Sequence, residues 1–226
     1  MKFINLHTHS FSNDASVLEV VNQYPWEFDK SVPQYSIGIH PWYIEKDRLE
    51  SDMKFIQENL LLNECLALGE CGLDKRIELP LNKQIEVFQQ QIELVQKTKK
   101  PIILHCVAAY QEVISIKKEM NIQNPMIIHG FSKNIQVANS LLDNGFYLSF
   151  GKYLLRNPEL ASVFNYVPNE YFFLETDTIK ETIVDVYQKA SHIKNIELEN
   201  LKYMVVKNFD QVFNSNPFNL FKHINF

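Results

Sequence analysis

The sequence predicts a single α/β domain over residues 1–226, closed as a (β/α)8 TIM-type barrel, and three observations carry that expectation. Short apolar, β-branched runs alternate with stretches of helical periodicity, which reads as repeated βα units and hence a parallel sheet. There are eight such runs, the strand number of a closed barrel. The length of 226 residues suits one barrel, and 46% hydrophobic with 22% charged residues supplies one large core.

The runs are 3–6, 17–21, 35–39, 66–69, 102–104, 126–128, 146–150 and 171–174. Only about a dozen residues separate the second run from the third, fewer than a full crossover helix needs, and Pro25 and Pro33 break that segment further. The first helices are therefore expected to be trimmed to turns, with a distorted seven-stranded barrel as the fallback. Further on, Ile85, Phe88, Ile92 and Val95 fall on one helical face, ahead of the stop at Lys99-Lys100-Pro101. Residues 134–144 predict a helix closed by Gly145. Leu198, Leu201, Val205, Phe209 and Phe213 mark a last one. An open doubly wound sheet fits less well, because no glycine-rich phosphate loop follows the first run.

Acidic residues outnumber basic ones, 27 to 22, for a formal charge of −5, the opposite of what phosphate neutralisation requires of a stable nucleic-acid binder. That balance does not count against an enzyme whose bound cations supply the local positive charge. The amino terminus lacks a signal-like apolar core and no run reaches membrane-spanning length, so a cytoplasmic protein without membrane contact is expected. Cys65, Cys71 and Cys106 are odd in number and contain no CxxC pair, which suits reduced thiols. No obligate protein partner is indicated.

The chemistry is expected where the runs end, since a barrel gathers those ends on one face. His7 and His9 follow the first run, His40 the third, Glu70 the fourth, His105 the fifth, His129 the sixth, and Glu175-Thr176-Asp177 the eighth. A single such histidine is better read as a hydrogen-bonded strand-end group. Five of the seven histidines in matching places, with carboxylates, are better explained by one metal centre. Imidazole and carboxylate without thiolate suit zinc, manganese or magnesium. His7 and His9 are alternate strand residues and point the same way, so both can reach one ion.

The blocks Asn5-Leu6-His7-Thr8-His9, Gly38-Ile39-His40-Pro41, Gly69-Glu70-Cys71-Gly72-Leu73-Asp74, Pro101-Ile102-Ile103-Leu104-His105, Ile128-His129-Gly130-Phe131-Ser132 and Leu174-Glu175-Thr176-Asp177 resemble, in order and spacing, the signature of the TatD family of metal-dependent deoxyribonucleases. The resemblance implies a hydrolase with two divalent ions (Mg, Mn or Zn): His7, His9 and Asp177 on the first, Glu70 bridging, His105 and His129 on the second. It implies Asp177 as general base and DNA, as single strands or ends, as a substrate that is not held in a stable complex. Paired ions and a neighbouring carboxylate are suited to activating water against a phosphodiester. The sequence departs from the family at Asn5, usually Asp, at Lys75-Arg76, and after Asp177; none of these removes a ligand. His40, Trp42 and Lys133 are candidate substrate contacts, Trp42 by stacking a base. Lys75, Arg76, Lys152 and Arg156 follow strand ends and could meet phosphates. A small-molecule hydrolase acting on an amide, lactone or phosphate ester from the same binuclear barrel is the alternative.

Overall fold

The computed structural model describes residues 1–213. Residues 214–226, which the sequence reading includes in the domain, lie outside the described residues. Eight strands run in parallel: β1 (Phe3–Thr8), β2 (Val17–Gln23), β3 (Tyr35–Ile37), β4 (Cys65–Asp74), β5 (Ile102–Val107), β6 (Met126–Ile128), β7 (Phe146–Phe150) and β8 (Phe172–Leu174). Each pairs with its neighbours in chain order. The ring is closed by a bridge between Thr8 and Asp177, where Asp177 N–H donates to the His7 carbonyl at 2.9 Å and His9 N–H to the Asp177 carbonyl at 3.2 Å. The expected (β/α)8 barrel is the observed fold, and the seven-stranded fallback is not needed.

The strands are buried on both faces, as parallel strands covered by helices must be. Eight helices cover them: α1 (Leu49–Asn59), α2 (Leu81–Val95), α3 (Tyr110–Glu119), α4 (Ile135–Asp143), α5 (Lys152–Arg156), α6 (Leu160–Tyr166), α7 (Ile183–Lys194) and α8 (Leu198–Phe213). The early crossovers are trimmed as expected. No helix stands between β1 and β2, and only a 3-10 turn, Pro25–Glu27, stands between β2 and β3. The expected helix 134–144 is α4, with the Asn134 side chain accepting from Val137 N–H at 3.1 Å and Gly145 following at φ +70°. Among the described residues no helix is long and apolar enough to cross a membrane.

Four strands run further than their apolar runs predict, β2 among them to Gln23. β4 continues from Gly69 to Asp74, β5 to Val107 and β1 to Thr8, so Glu70, His105 and His7 lie within strands and not after them. The reason is local. Gly69 and Gly72 sit at φ +138°, and a Cβ on either would run into a carbonyl of β5, that of Ile103 or of His105. Without those Cβ atoms β4 lies close against β5 through a register shift between Leu68 and Cys71, and carries polar residues on into the mouth.

α2 adds a second positioning device. Gln84 and Gln91, seven residues apart on the face that also buries Phe88, Ile92 and Val95, each hold a strand-end peptide by both of its groups. Gln91 accepts from Ile39 N–H at 2.7 Å and donates to the Ile39 carbonyl at 3.2 Å. Gln84 accepts from Asp74 N–H at 2.8 Å and donates to the Asp74 carbonyl at 2.9 Å. One helix thus sets the chain at His40 and at Asp74.

Candidate metal centre

The six side chains expected to hold metal come together at the carboxyl ends of the strands, around Glu70. This carboxylate is 3% exposed, and its backbone N–H donates to Asn22 Oδ1 at 2.7 Å. Its two oxygens face two different sets of imidazoles. Oε2 lies 3.4 Å from His7 Nε2 and 3.5 Å from His9 Nε2. Oε1 lies 2.9 Å from His105 Nδ1, 2.8 Å from His129 Nε2 and 3.2 Å from His40 Nε2. Asp177 completes the first set, with Oδ1 at 3.8 Å from His7 Nε2 and 3.5 Å from His9 Nε2.

The first set has the geometry of a metal cage. Ligands about 2.0–2.2 Å from a tetrahedral ion stand roughly 3.4 Å apart along each edge. The four nitrogen–oxygen separations among His7, His9, Glu70 and Asp177 run from 3.4 to 3.8 Å, longer than most hydrogen bonds and close to that edge length. His7 is fully buried and neither of its ring nitrogens has a hydrogen-bond partner among the described residues. An imidazole sealed from water with both nitrogens unsatisfied is costly unless a cation takes one of them. Three groups have ligand atoms close enough to share an ion: His7, His9 and Glu70; His7, His129 and Asp177; and His40, Glu70 and His105.

A hydrogen bond fixes the tautomer of His40, and carboxylates flank both nitrogens of His105 and of His129. Trp42 N–H donates to His40 Nδ1 at 3.1 Å, so a neutral His40 carries its proton on Nε2 and donates it to Glu70. A nitrogen that carries a proton does not ligate. His40 is therefore read as a donor to the Glu70 carboxylate, buried at 4% exposure, where the sequence pointed to a substrate contact. His105 stands between two carboxylates: Asp74 Oδ2 accepts from Trp42 Nε1–H at 2.8 Å and lies 3.2 Å from His105 Nε2. A neutral His105 that donates from Nε2 to Asp74 would present its Nδ1 lone pair to an ion beside Glu70. On His129 the roles reverse, since Nδ1 lies 3.4 Å from Glu175 Oε1 and Nε2 faces Glu70. Glu175 Oε1 also accepts from Gly130 N–H at 2.7 Å.

Burial alone would push the Glu70 carboxyl up, but the charge of His129 and the hydrogen bonds from His105, His129 and His40 hold it well below the usual carboxylate range. Burial pulls His129 down, while Glu70 and Glu175 raise it well above the ordinary imidazole value. For His40 burial prevails over its bond to Glu70, and its value falls. Burial would raise Asp74, but the Trp42 indole, the Arg76 N–H and His105 bring it below the ordinary value.

The closure seam fixes Asp177. Its φ of 55° is left-handed, a region Asp tolerates, and its backbone bonds tie it to His7 and His9 on β1. Beneath it, Asn5 Nδ2–H donates to Thr176 Oγ1 at 2.9 Å and Thr176 N–H donates to Asn5 Oδ1 at 3.0 Å. The amide uses both of its groups in this staple, accepting from the Thr176 peptide and donating to the Thr176 hydroxyl.

A model of the family described as TatD related DNase matches residues 2–214. The chain belongs to this family. It is 28% identical over 202 residues to an uncharacterized metal-dependent hydrolase, BU355, of Buchnera aphidicola, covering 80% of this chain and 76% of that protein. To the uncharacterized metal-dependent hydrolase YabD of Bacillus subtilis it is 34% identical over 146 residues, covering 63% and 57%. Among solved structures, YJJV, a TatD homolog of Escherichia coli, superposes with a TM-score of 0.80 at 19% identity, covering 94% of this chain and 98% of that one, which bears on the fold alone. This TatD-family chain is thus a metal-dependent hydrolase by family, with candidate metal ligands in place.

The remaining expected contacts are more scattered. Trp42 stands at the mouth, 57% exposed. Lys133 lies half-buried in the β6–α4 loop, four residues after His129, and makes no ion pair among the described residues. Two of the cations read as phosphate contacts are already paired, Lys75 with Glu112 and Arg156 with Glu181. The sequence marks Glu175 only by its place at a strand end and singles out no function for Asp74, Asn22 or Gln84. The available signal was polar residues set inside apolar stretches, as at Gln84 and Gln91 on the buried stripe of α2.

Proposed function

We propose that this protein is a divalent-metal phosphodiesterase that cleaves DNA, at single strands or ends, with two ions bridged by Glu70 and with Asp177 as general base. The observation that carries this reading is the division of Glu70 between two imidazole sets, one on each carboxylate oxygen, as a bridging ligand would be divided. When bound, such ions supply Lewis acidity, lowering the pKa of a coordinated water and neutralising charge on a phosphoryl group in displacement. The protein's own part is to hold those ligands and to accept a proton. Asp177 Oδ1 lies beside both His7 and His9, and its side chain is 27% exposed, so one carboxylate reaches the cage and the open mouth together. His40, Asp74 and Glu175 keep Glu70, His105 and His129 in their ligating orientations.

Buried, unpaired thiols at Cys65, Cys71 and Cys106 support a cytoplasmic place of action. The small-molecule reading draws on one feature, the acidic side chains Glu27 and Asp29 in the cleft that opens beside His9, which suits a phosphate chain poorly.

The test is cleavage of end-labelled single-stranded DNA with magnesium, manganese or zinc, with and without chelator. Asp177→Asn, purified identically, should lose at least about a thousandfold in kcat while its melting curve stays native. A variant that keeps wild-type turnover would refute the assigned base. Absence of cleavage by the wild type with every metal would favour the small-molecule hydrolase.

A further inference from the structure

Trp42 has its polar atom engaged and its ring bare. The turn Pro41–Tyr43 is held at one end by Trp42 N–H donating to His40 Nδ1, and the indole Nε1–H donates to Asp74 Oδ2 at 2.8 Å. Asp74 is 2% exposed and fixed by Gln84 at both its N–H and its carbonyl, whereas Trp42 remains 57% exposed. A tryptophan that served to pack this loop would bury its ring as well as bond its N–H. Here the N–H is bonded and the side chain is left exposed.

The same Asp74 oxygen lies 3.2 Å from His105 Nε2, and the Trp42 and His105 rings are 5.9 Å apart between centroids. The aromatic edge continues away from Trp42. Tyr43, 41% exposed, meets Tyr24 edge to face at 5.4 Å, and Tyr24 lies 6.3 Å from His9. Aromatic side chains thus line one side of the mouth from the second imidazole set round to the first.

We infer that Trp42 is the stacking platform for an aromatic ring of the substrate next to the scissile bond, and that Asp74 is the positioning residue that ties this platform to His105. The inference rests on the phosphodiesterase reading, under which that ring is the base of a nucleotide flanking the cleaved bond. Every base has a π face, so the subsite requires a base without selecting which one. Asp74 accepts from both partners through one oxygen, so the platform and the candidate ligand keep a fixed separation.

The test compares kcat/KM on an oligothymidylate with that on a tetrahydrofuran-abasic phosphate chain of equal length, using the metal-loaded full chain. Wild type should prefer the base-bearing chain by roughly 5- to 150-fold, the range of base–aromatic stacking, mostly through KM. Trp42→Ala and Asp74→Ala should cleave the two chains with nearly equal efficiency. Asp74→Asn, whose amide oxygen still accepts from the indole, should restore the preference, and Trp42→Phe should keep part of it. An unchanged ratio in Trp42→Ala would overturn the inference, because a merely structural tryptophan would lower both rates alike.

A binding readout stands beside the kinetics. The chain has two tryptophans, so Trp26→Phe leaves Trp42 as the sole indole reporter. In an Asp177→Asn background, oligothymidylate should quench its emission and the abasic chain should not; equal responses, or none, would count against stacking. If wild type cleaves neither chain, the phosphodiesterase reading falls and the quench alone decides the platform.

Discussion

Glu70 shows how much of this site depends on single atoms. Each of its oxygens meets its own imidazole set, and His105 and His129 turn their other ring nitrogens to Asp74 and Glu175. Glu70→Ala should therefore abolish binding of both ions, so that metal analysis of the variant after dialysis reads near zero. Full occupancy would remove the bridge. The candidate ligand positions are legible because His and Glu are conspicuous at strand ends, and the ordered blocks point to the same six residues that the fold gathers. Which imidazole nitrogen ligates was not legible, since that depends on partners as distant as Asp74 to His105 and His129 to Glu175. His40 shows the same limit: its Nδ1 is occupied by a backbone N–H two residues on, a contact that exists only once the turn has formed.

At the scale of elements, β4 and α2 do most of the positioning. Gly72→Ala would place a Cβ against the His105 carbonyl at φ +138°, and the combination of backbone strain and overpacking should cost about 3 kcal/mol or more. Thermal unfolding would report this, and a variant as stable as wild type would show that β4 and β5 can separate without cost. α8 contains the opposite case, a charge that opposes folding. Asp210 has a buried Oδ1 with no hydrogen-bond partner among the described residues, and burial raises its pKa from 3.8 to about 6. An acid whose pKa is raised by folding destabilises the native state above its folded value, and the penalty disappears below its unfolded value. Asp210→Asn should thus stabilise by about 1 kcal/mol above pH 6, after allowance for partial exposure, and by nothing near pH 4. That corresponds to a Tm gain of about 2–4 °C at pH 7.5, and an equal gain at both pH values would refute the cause given. The apolar stripe of α2 was readable from its spacing, but the two glutamines inside it gave no sign of which peptides they would hold.

For the whole molecule, the barrel is a device for convergence. Residues from position 7 to position 177 meet because parallel strands put all their carboxyl ends on one face, and the first and last strands meet at Asp177 itself. Closing the ring and completing the first cage are therefore the same event. Ion binding should stabilise the entire domain: free manganese or zinc at a hundred times its Kd should add about 2.7 kcal/mol per site, raising Tm by on the order of 5–10 °C over a chelated sample. No shift under any divalent ion would contradict a metal centre built from these residues. On the proposed reading the net charge of −5 is no obstacle to an anionic substrate, since bound cations would bring positive charge to the mouth.

The sequence by itself determined the fold class, the eight strands in order, the trimmed early crossovers and the six candidate ligands, because periodicity and ligand chemistry are written in local residue types. Tertiary structure alone decided that β4 runs on to Asp74, that Gln84 and Gln91 hold two strand ends, that His40 donates to Glu70, and that Trp42 is tied to His105 through Asp74. Each of these rests on a contact between residues far apart in the chain. Such contacts follow from how closely two backbones approach and which nitrogen carries a proton, quantities that no spacing of residue types encodes.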